Sequence, residues 1–234
     1  MVPPHLRVTP SAHLRVFRYL AVALVAAVLY ATLAVAVSHV PPFGIDLAGR
    51  ALAGKATSLA LIFTASCWWV ALTALAVVAI AVAIRYPNWR GRTIFAIATT
   101  LITWQLSDVL KNVFRRPRPE YWKLIHEPTF SYSSGHAMFA LLVYGLWAWF
   151  IWNSDLPPAV RRVVAPLLAV WGCGVIWSRL ALGAHYVTDL AGGVLLGATT
   201  LALAGAIATR ARARASAGAS SGTRSRADSG LRGR

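Results

Sequence analysis

Apolar residues run along this chain in six long blocks, separated by short stretches where prolines and charges gather. The blocks are Phe17–Ser38, Ser58–Ile84, Thr93–Leu110, Ser134–Trp152, Val163–Trp177 and Tyr186–Thr209. A helix that crosses a bilayer needs about 20 residues at a rise of about 1.5 Å each. The first, second and sixth blocks meet that alone. The third and fifth are shorter, but each runs into a charged motif that can sit at a membrane surface. Pro41-Pro42, Pro87, Pro117, Pro119 and Pro157-Pro158 fall in the connections, where helix breaking does no harm. The pattern predicts an all-α polytopic bundle of six transmembrane helices over residues 17–209. Residues 1–16 form an N-terminal segment. Residues 210–234 are rich in Ala, Arg, Ser and Gly without apolar periodicity, and are expected to be disordered. Between the first two blocks, residues 43–57 place Asp46, Arg50 and Lys55 among apolar positions at helical spacing. That stretch reads equally as a short amphipathic helix lying on the membrane or as an ordinary loop.

Composition supports the membrane reading. The chain is 58% apolar and 13% charged, with ten tryptophans in 234 residues. So few charges could not cover so much apolar surface in water, whereas lipid solvates the outside of a bundle. The net charge of +16 invites a nucleic-acid partner. Its distribution argues against one. The basic residues lie at the N-terminus (Arg7, Arg15, Arg18), around the second connection (Arg85, Arg90, Arg92) and in the tail, where the positive-inside bias places them. That bias makes both termini cytoplasmic, with Arg161 and Arg162 on the same side. One connection departs from it: residues 111–132 carry Lys111, Arg115, Arg116, Arg118 and Lys123 against Glu120 and Glu127, on the opposite face. An anionic substrate would give those cations a reason to be there. Cys67 and Cys173 sit inside apolar runs as small buried residues, with no metal-like spacing. The first block is too long for a cleaved signal peptide.

Three clusters carry the candidate chemistry, and all fall on that non-cytoplasmic face. They are Lys111…Arg118-Pro119, Ser133-Ser134-Gly135-His136 and Ser178-Arg179…His185…Asp189. Phosphoryl transfer concentrates negative charge on the equatorial oxygens, so catalysis is mostly positioning and electrostatic stabilisation. Lys111, Arg118 and Arg179 are the candidate clamps, the arginines offering planar forks and the lysine a point charge. Ser134 and Gly135 stand at a helix entrance, where free N–H groups favour an anion. Asp189 follows His185 at i+4, on one helical face, and can accept from one imidazole nitrogen while leaving the other lone pair free. That arrangement orients a nucleophile, leaving His136 as general acid. His126 matches no spacing and is given no role.

The spacing Lys111-x6-Arg118-Pro119, Ser134-Gly135-His136 and Ser178-Arg179-x5-His185-x3-Asp189 resembles the type 2 phosphatidic acid phosphatase (PAP2) family. That family shares its site with vanadium haloperoxidases and glucose-6-phosphatases. The resemblance implies a metal-independent reaction without cofactor, in which His185 is transiently phosphorylated and oriented by Asp189. It also implies that His136 acts as acid, while Lys111, Arg118, Ser134, Gly135 and Arg179 bind the phosphoryl group. The division of labour between the two histidines rests on the resemblance. Ser133 departs from the proline that usually opens the family's second motif.

The expected function is a membrane lipid phosphatase acting on a lipid phosphate monoester, such as phosphatidic acid or phosphatidylglycerol phosphate, or on a polyprenyl diphosphate. A lipid-to-lipid phosphotransferase is an alternative, since the acceptor is not written in the clusters. A haloperoxidase fits six lipid-facing spans less well. A non-catalytic transporter or lipid-binding protein would more typically show inverted repeats or charges at mid-membrane. Trp147, Trp149 and Trp152 are read as interfacial residues rather than a lipid path. Lipid head group and oligomeric state are not encoded in any recognisable pattern.

Overall fold

The computed structural model describes residues 12–120 and 127–231, with side chains placed as far as residue 214. Lys123, His126 and Arg7 lie outside the described residues, as do the side chains of the outer basic tail.

Among the described residues the apolar blocks fold as helices, and no strand occurs. In chain order these are α1 (Ala12–Ser38), α2 (Ile45–Gly49), α3 (Thr57–Ala65), α4 (Trp69–Arg85), α5 (Arg90–Phe114) and α6 (Gly135–Phe139). A π-helical turn, Ala140–Gly145, carries α6 directly into α7 (Leu146–Trp152), and α8 (Pro158–Ala181) and α9 (Val187–Leu231) follow. Five stretches are each long and apolar enough to span a membrane, and α3 with α4 makes a sixth if that bent pair is one span. The expected all-α bundle is therefore found, with five candidate spans, or six if the bent pair counts as one.

Its details differ from expectation in several places. The second span is broken, its halves bent by 48°. Ser66 explains the break: its hydroxyl donates to the Phe63 carbonyl at 2.7 Å, an alternative to the helical bond. The Tyr144 hydroxyl then donates to the freed Ser66 carbonyl at 3.0 Å, and Trp171 Nε1 donates to Ser66 Oγ at 3.0 Å. The third and fifth spans are longer than predicted, because α5 runs past Lys111 and α8 past Arg179. Each cation lies in a last turn, where the partial negative charge of the helix end favours it.

The segment after α1 does contain a short helix, but Asp46 is fully buried rather than displayed at a membrane surface. The tail, expected to be disordered, continues α9 as helix to Leu231. Alanine and arginine are among the best helix formers, and their alternation from Ala211 outweighs the lack of an apolar stripe. Cys173 is also exposed on α8 rather than buried, while Cys67 is buried, and both are free.

Two of the stretches that carry site residues are the most enclosed of the bundle. In Gly135–Trp152 and Val187–Arg214, 44% of the most apolar window is buried, against 28% in α1, in Pro87–Phe114 and in α8. The outer helices present large apolar side chains outward, among them Leu24, Val35, Ile84 and Leu167, each more than 60% exposed. Such a surface suits lipid. At the other end of the inner rod Trp147 stacks on Trp89, with centroids 6.1 Å apart. Trp147 is eleven residues from His136, roughly 16 Å along a helix. The tryptophans thus pack at the end remote from the histidines.

Candidate active site

Local structure brings the three clusters together at one end of the bundle. Arg115, with φ of 50°, closes α5 in the left-handed conformation and turns the chain back, so that Arg116 and Arg118 point into the bundle. Ser134 caps α6, its hydroxyl accepting from the Ala137 N–H at 3.4 Å. Between α8 and α9 Gly183 takes φ of 61°, a conformation costly for other residues, and delivers Ala184 and His185 to the centre. Gly193 lets α9 pass against the α6 entrance: a Cβ there would lie 2.3 Å from the Ser134 carbonyl oxygen. The Ser134 N–H donates to the Asp189 carbonyl at 3.0 Å, which ties the second cluster to the third.

His185 is 1% exposed, and its two nitrogens face different partners. Nδ1 lies 3.4 Å from Asp189 Oδ2, while Nε2 lies 3.1 Å from Arg118 Nη1. The carboxylate thus addresses one nitrogen and the cation shares the space of the other. Burial, then the charges of Arg118 and Arg179, hold the imidazole well below its ordinary range, so it is neutral at physiological pH. Arg118 is fixed by the carbonyls of Thr129 at 2.7 Å and Ala184 at 2.9 Å. Arg179 is fully buried and donates to Thr64 Oγ1, while its Nε has no partner. Lys111 approaches from α5, its Nζ 3.9 Å from where a Cβ on Gly135 would stand. The His136 ring is hydrogen-bonded to the Thr64 backbone, and its buried Nε2 has no partner. All eight residues singled out in the sequence therefore lie in or against one site.

Several others were not foreseen. Arg116 is 2% exposed and bridges two carboxylates, donating to Asp189 Oδ1 at 2.6 Å and Asp46 Oδ2 at 2.7 Å. Its guanidinium also lies over the Tyr186 ring, 4.3 Å from the centroid. Asp46 in turn accepts from the Thr188 N–H at 2.9 Å, so α2 is pinned to the start of α9. Ser131 donates to Asp189 Oδ2, and Tyr186 N–H donates to the same oxygen at 2.9 Å. Glu127 pairs with both Arg118 and Arg179. Burial would raise its carboxyl, but the charges of Arg179, Arg118 and Lys111 hold it at about 2. The sequence offered one hint of this network, namely two extra arginines and two glutamates in a single connection. Ser133 is fully buried, with its hydroxyl 3.5 Å from that of Tyr30. Among the described residues no three His, Cys, Asp or Glu side chains group as metal ligands.

The arrangement provides a neutral imidazole with an oriented lone pair, converging cations around it, and a second imidazole nearby. That is the equipment for in-line attack on a phosphorus atom.

Known proteins resemble the chain in sequence and in fold. A family model described as the PAP2 superfamily matches residues 89–213, more than half of the chain. Phosphatidylglycerophosphatase B of Bacillus subtilis (strain 168) is 40% identical over 94 residues, which are 39% of this chain and 46% of that protein. Phosphatidylglycerophosphatase B of Escherichia coli (strain K12) is 35% identical over 114 residues, 47% of this chain and 40% of that protein. The matches thus span less than half the length of these curated relatives. A solved structure, the transmembrane PAP2-type phosphatidylglycerolphosphate phosphatase from Bacillus subtilis, superposes with a TM-score of 0.65 at 26% identity. That superposition covers 78% of this chain and 94% of the other.

Proposed function

From a chain that belongs to the PAP2 superfamily, we propose a membrane lipid phosphatase that hydrolyses a terminal phosphate through a phosphohistidine. The observation that carries this is the split environment of His185, with Nδ1 toward Asp189 and Nε2 beside Arg118. In the first step the Nε2 lone pair attacks phosphorus, an N–P bond forms and the P–O bond to the lipid breaks. Arg118, Arg179, Lys111 and the Ser134–Gly135 helix entrance hold the equatorial oxygens. The leaving oxygen takes a proton from His136 Nε2. In the second step His136 accepts a proton from water, the oxygen attacks phosphorus, and the N–P bond breaks to release inorganic phosphate and neutral His185.

The substrate we propose is phosphatidylglycerophosphate, on the names of the two relatives and the solved structure. A polyprenyl diphosphate presents the same terminal group and is the second candidate. The site is assigned to the non-cytoplasmic face, with both termini cytoplasmic, on the distribution of basic residues.

The test is phosphate release from phosphatidylglycerophosphate and from a polyprenyl diphosphate in detergent with chelator. Wild type should turn over at least one of them, and His185→Ala neither. An acid-labile, alkali-stable phosphoenzyme should be trapped in wild type alone. Wild-type turnover by His185→Ala would refute the mechanism.

A further inference from the structure

The space between Arg118 and Arg179, assigned above to phosphate oxygens, is filled in the structure by a carboxylate of the chain itself. Glu127 Oε2 pairs with Arg118 Nη2 at 2.7 Å, and Oε1 pairs with Arg179 Nη2. The two arginines come from the turn after α5 and from the end of α8, so one carboxylate bridges two separate elements. It takes up the geometry two phosphate oxygens would use, since guanidinium forks bind both groups alike. The Arg179 side chain is 0% exposed, that of Arg118 10% and that of Glu127 22%. Two guanidiniums so placed, with Lys111 beside them, need an anion whenever substrate is elsewhere.

We propose that Glu127 is the resident anion of the phosphate seat: incoming phosphate displaces its carboxylate from Arg118 and Arg179, and the carboxylate returns as product phosphate leaves. The proposal rests on the reading that this site takes phosphate. An internal competitor weakens binding of any phosphate by the fraction of time it leaves the seat free. The return of Glu127 restores charge balance as inorganic phosphate departs, so three cations do not hold the product. The alternative is a buttress, in which Glu127 stays in place and keeps the arginines aimed while phosphate binds alongside. The two roles give opposite signs: removing a competitor tightens phosphate binding, and removing a buttress weakens it.

The experiment is calorimetric titration of inorganic phosphate, in chelator, onto the detergent-solubilised full chain and its Glu127→Gln and Glu127→Ala variants. Both variants should bind phosphate about tenfold tighter than wild type, the gain expected if the seat is free about a tenth of the time. In wild type, infrared difference spectra on adding phosphate should show one carboxylate stretch shifting, a band that either variant lacks. Equal or weaker phosphate affinity in the variants, no shifting carboxylate band in wild type, or no phosphate binding by any form overturns the proposal. Tighter phosphate binding by the variants of a protein that hydrolyses no lipid phosphate would overturn the phosphatase reading and leave the exchange standing.

Discussion

His185 is neutral because it is buried first and surrounded by cations second. The sign of its pH dependence follows. Its proton affinity in the folded protein is depressed below the ordinary 6.5, so the nucleophilic form persists as pH falls through that value. The acidic limb of kcat/KM, corrected for ionisation of a soluble phosphomonoester substrate, should therefore lie below pH 6.5. A limb above it would place a different group in the nucleophile's role. Below pH 6.5 the unfolded chain takes up that proton while the folded one does not, so stability from this residue is intact above 6.5 and lost as pH falls below it. His136 carries a different expectation. Its Nε2 is buried without a protein partner, and His136→Ala should lower kcat by roughly 10²- to 10⁴-fold, the usual worth of a positioned acid. Steady-state kinetics would show it, and a loss under tenfold would remove His136 from proton transfer.

At the scale of elements, the close approach of α9 to the α6 entrance is what holds the second and third clusters together. Gly193→Ala would set a Cβ 2.3 Å from the Ser134 carbonyl oxygen and 3.0 Å from Ala137 Cβ. It should destabilise the protein by about 1–3 kcal/mol, the cost of overpacking, and depress turnover. Gly91 has nothing within 4 Å of its would-be Cβ, so Gly91→Ala in α5 serves as the control free of overpacking, which should leave stability unchanged or slightly raised. Thermal unfolding in detergent separates the two. The α2 helix makes a second test. Asp46 makes no contact with His185 itself and reaches it through Arg116, Thr188 and Asp189. Asp46→Asn should lower kcat with little change in KM, whereas Arg116→Met, which strands two buried carboxylates, should cost about 3–5 kcal/mol in stability. A rise in KM with unchanged kcat for Asp46→Asn would place Asp46 in substrate binding instead.

For the whole molecule, the helices were legible because apolar length is written directly in the chain, and the residues that gather at the candidate site because their spacing resembles a known pattern. What stayed hidden depends on contacts between residues far apart in sequence. Asp46 read as part of a surface helix or of an ordinary loop, and only the folded chain sets it against Arg116, 70 positions away. Glu127 looked like dilution of a basic loop, with nothing local to mark it as the partner of Arg179 from another helix. Ser66 broke a span that hydropathy reads as continuous, because the neighbours that donate to its freed oxygens, Tyr144 and Trp171, come from other helices. The orientation in the membrane gives a whole-molecule prediction. Reporter domains fused before residue 12 and after residue 214 should both be active on the cytoplasmic side, and a split result would overturn the six-span layout.

Arg116 has one more consequence, for what counts as a transplantable unit. The stretch matching the family begins at residue 89, so it contains both histidines, every clamp and Arg116, but not Asp46. A chimera built by grafting residues 89–213 onto foreign leading helices would inherit all the motifs and lose one of the two counter-charges on Arg116. Such a graft should recover function only when the donor's Ile45–Gly49 turn travels with it, which makes five residues outside the motifs part of the heritable site.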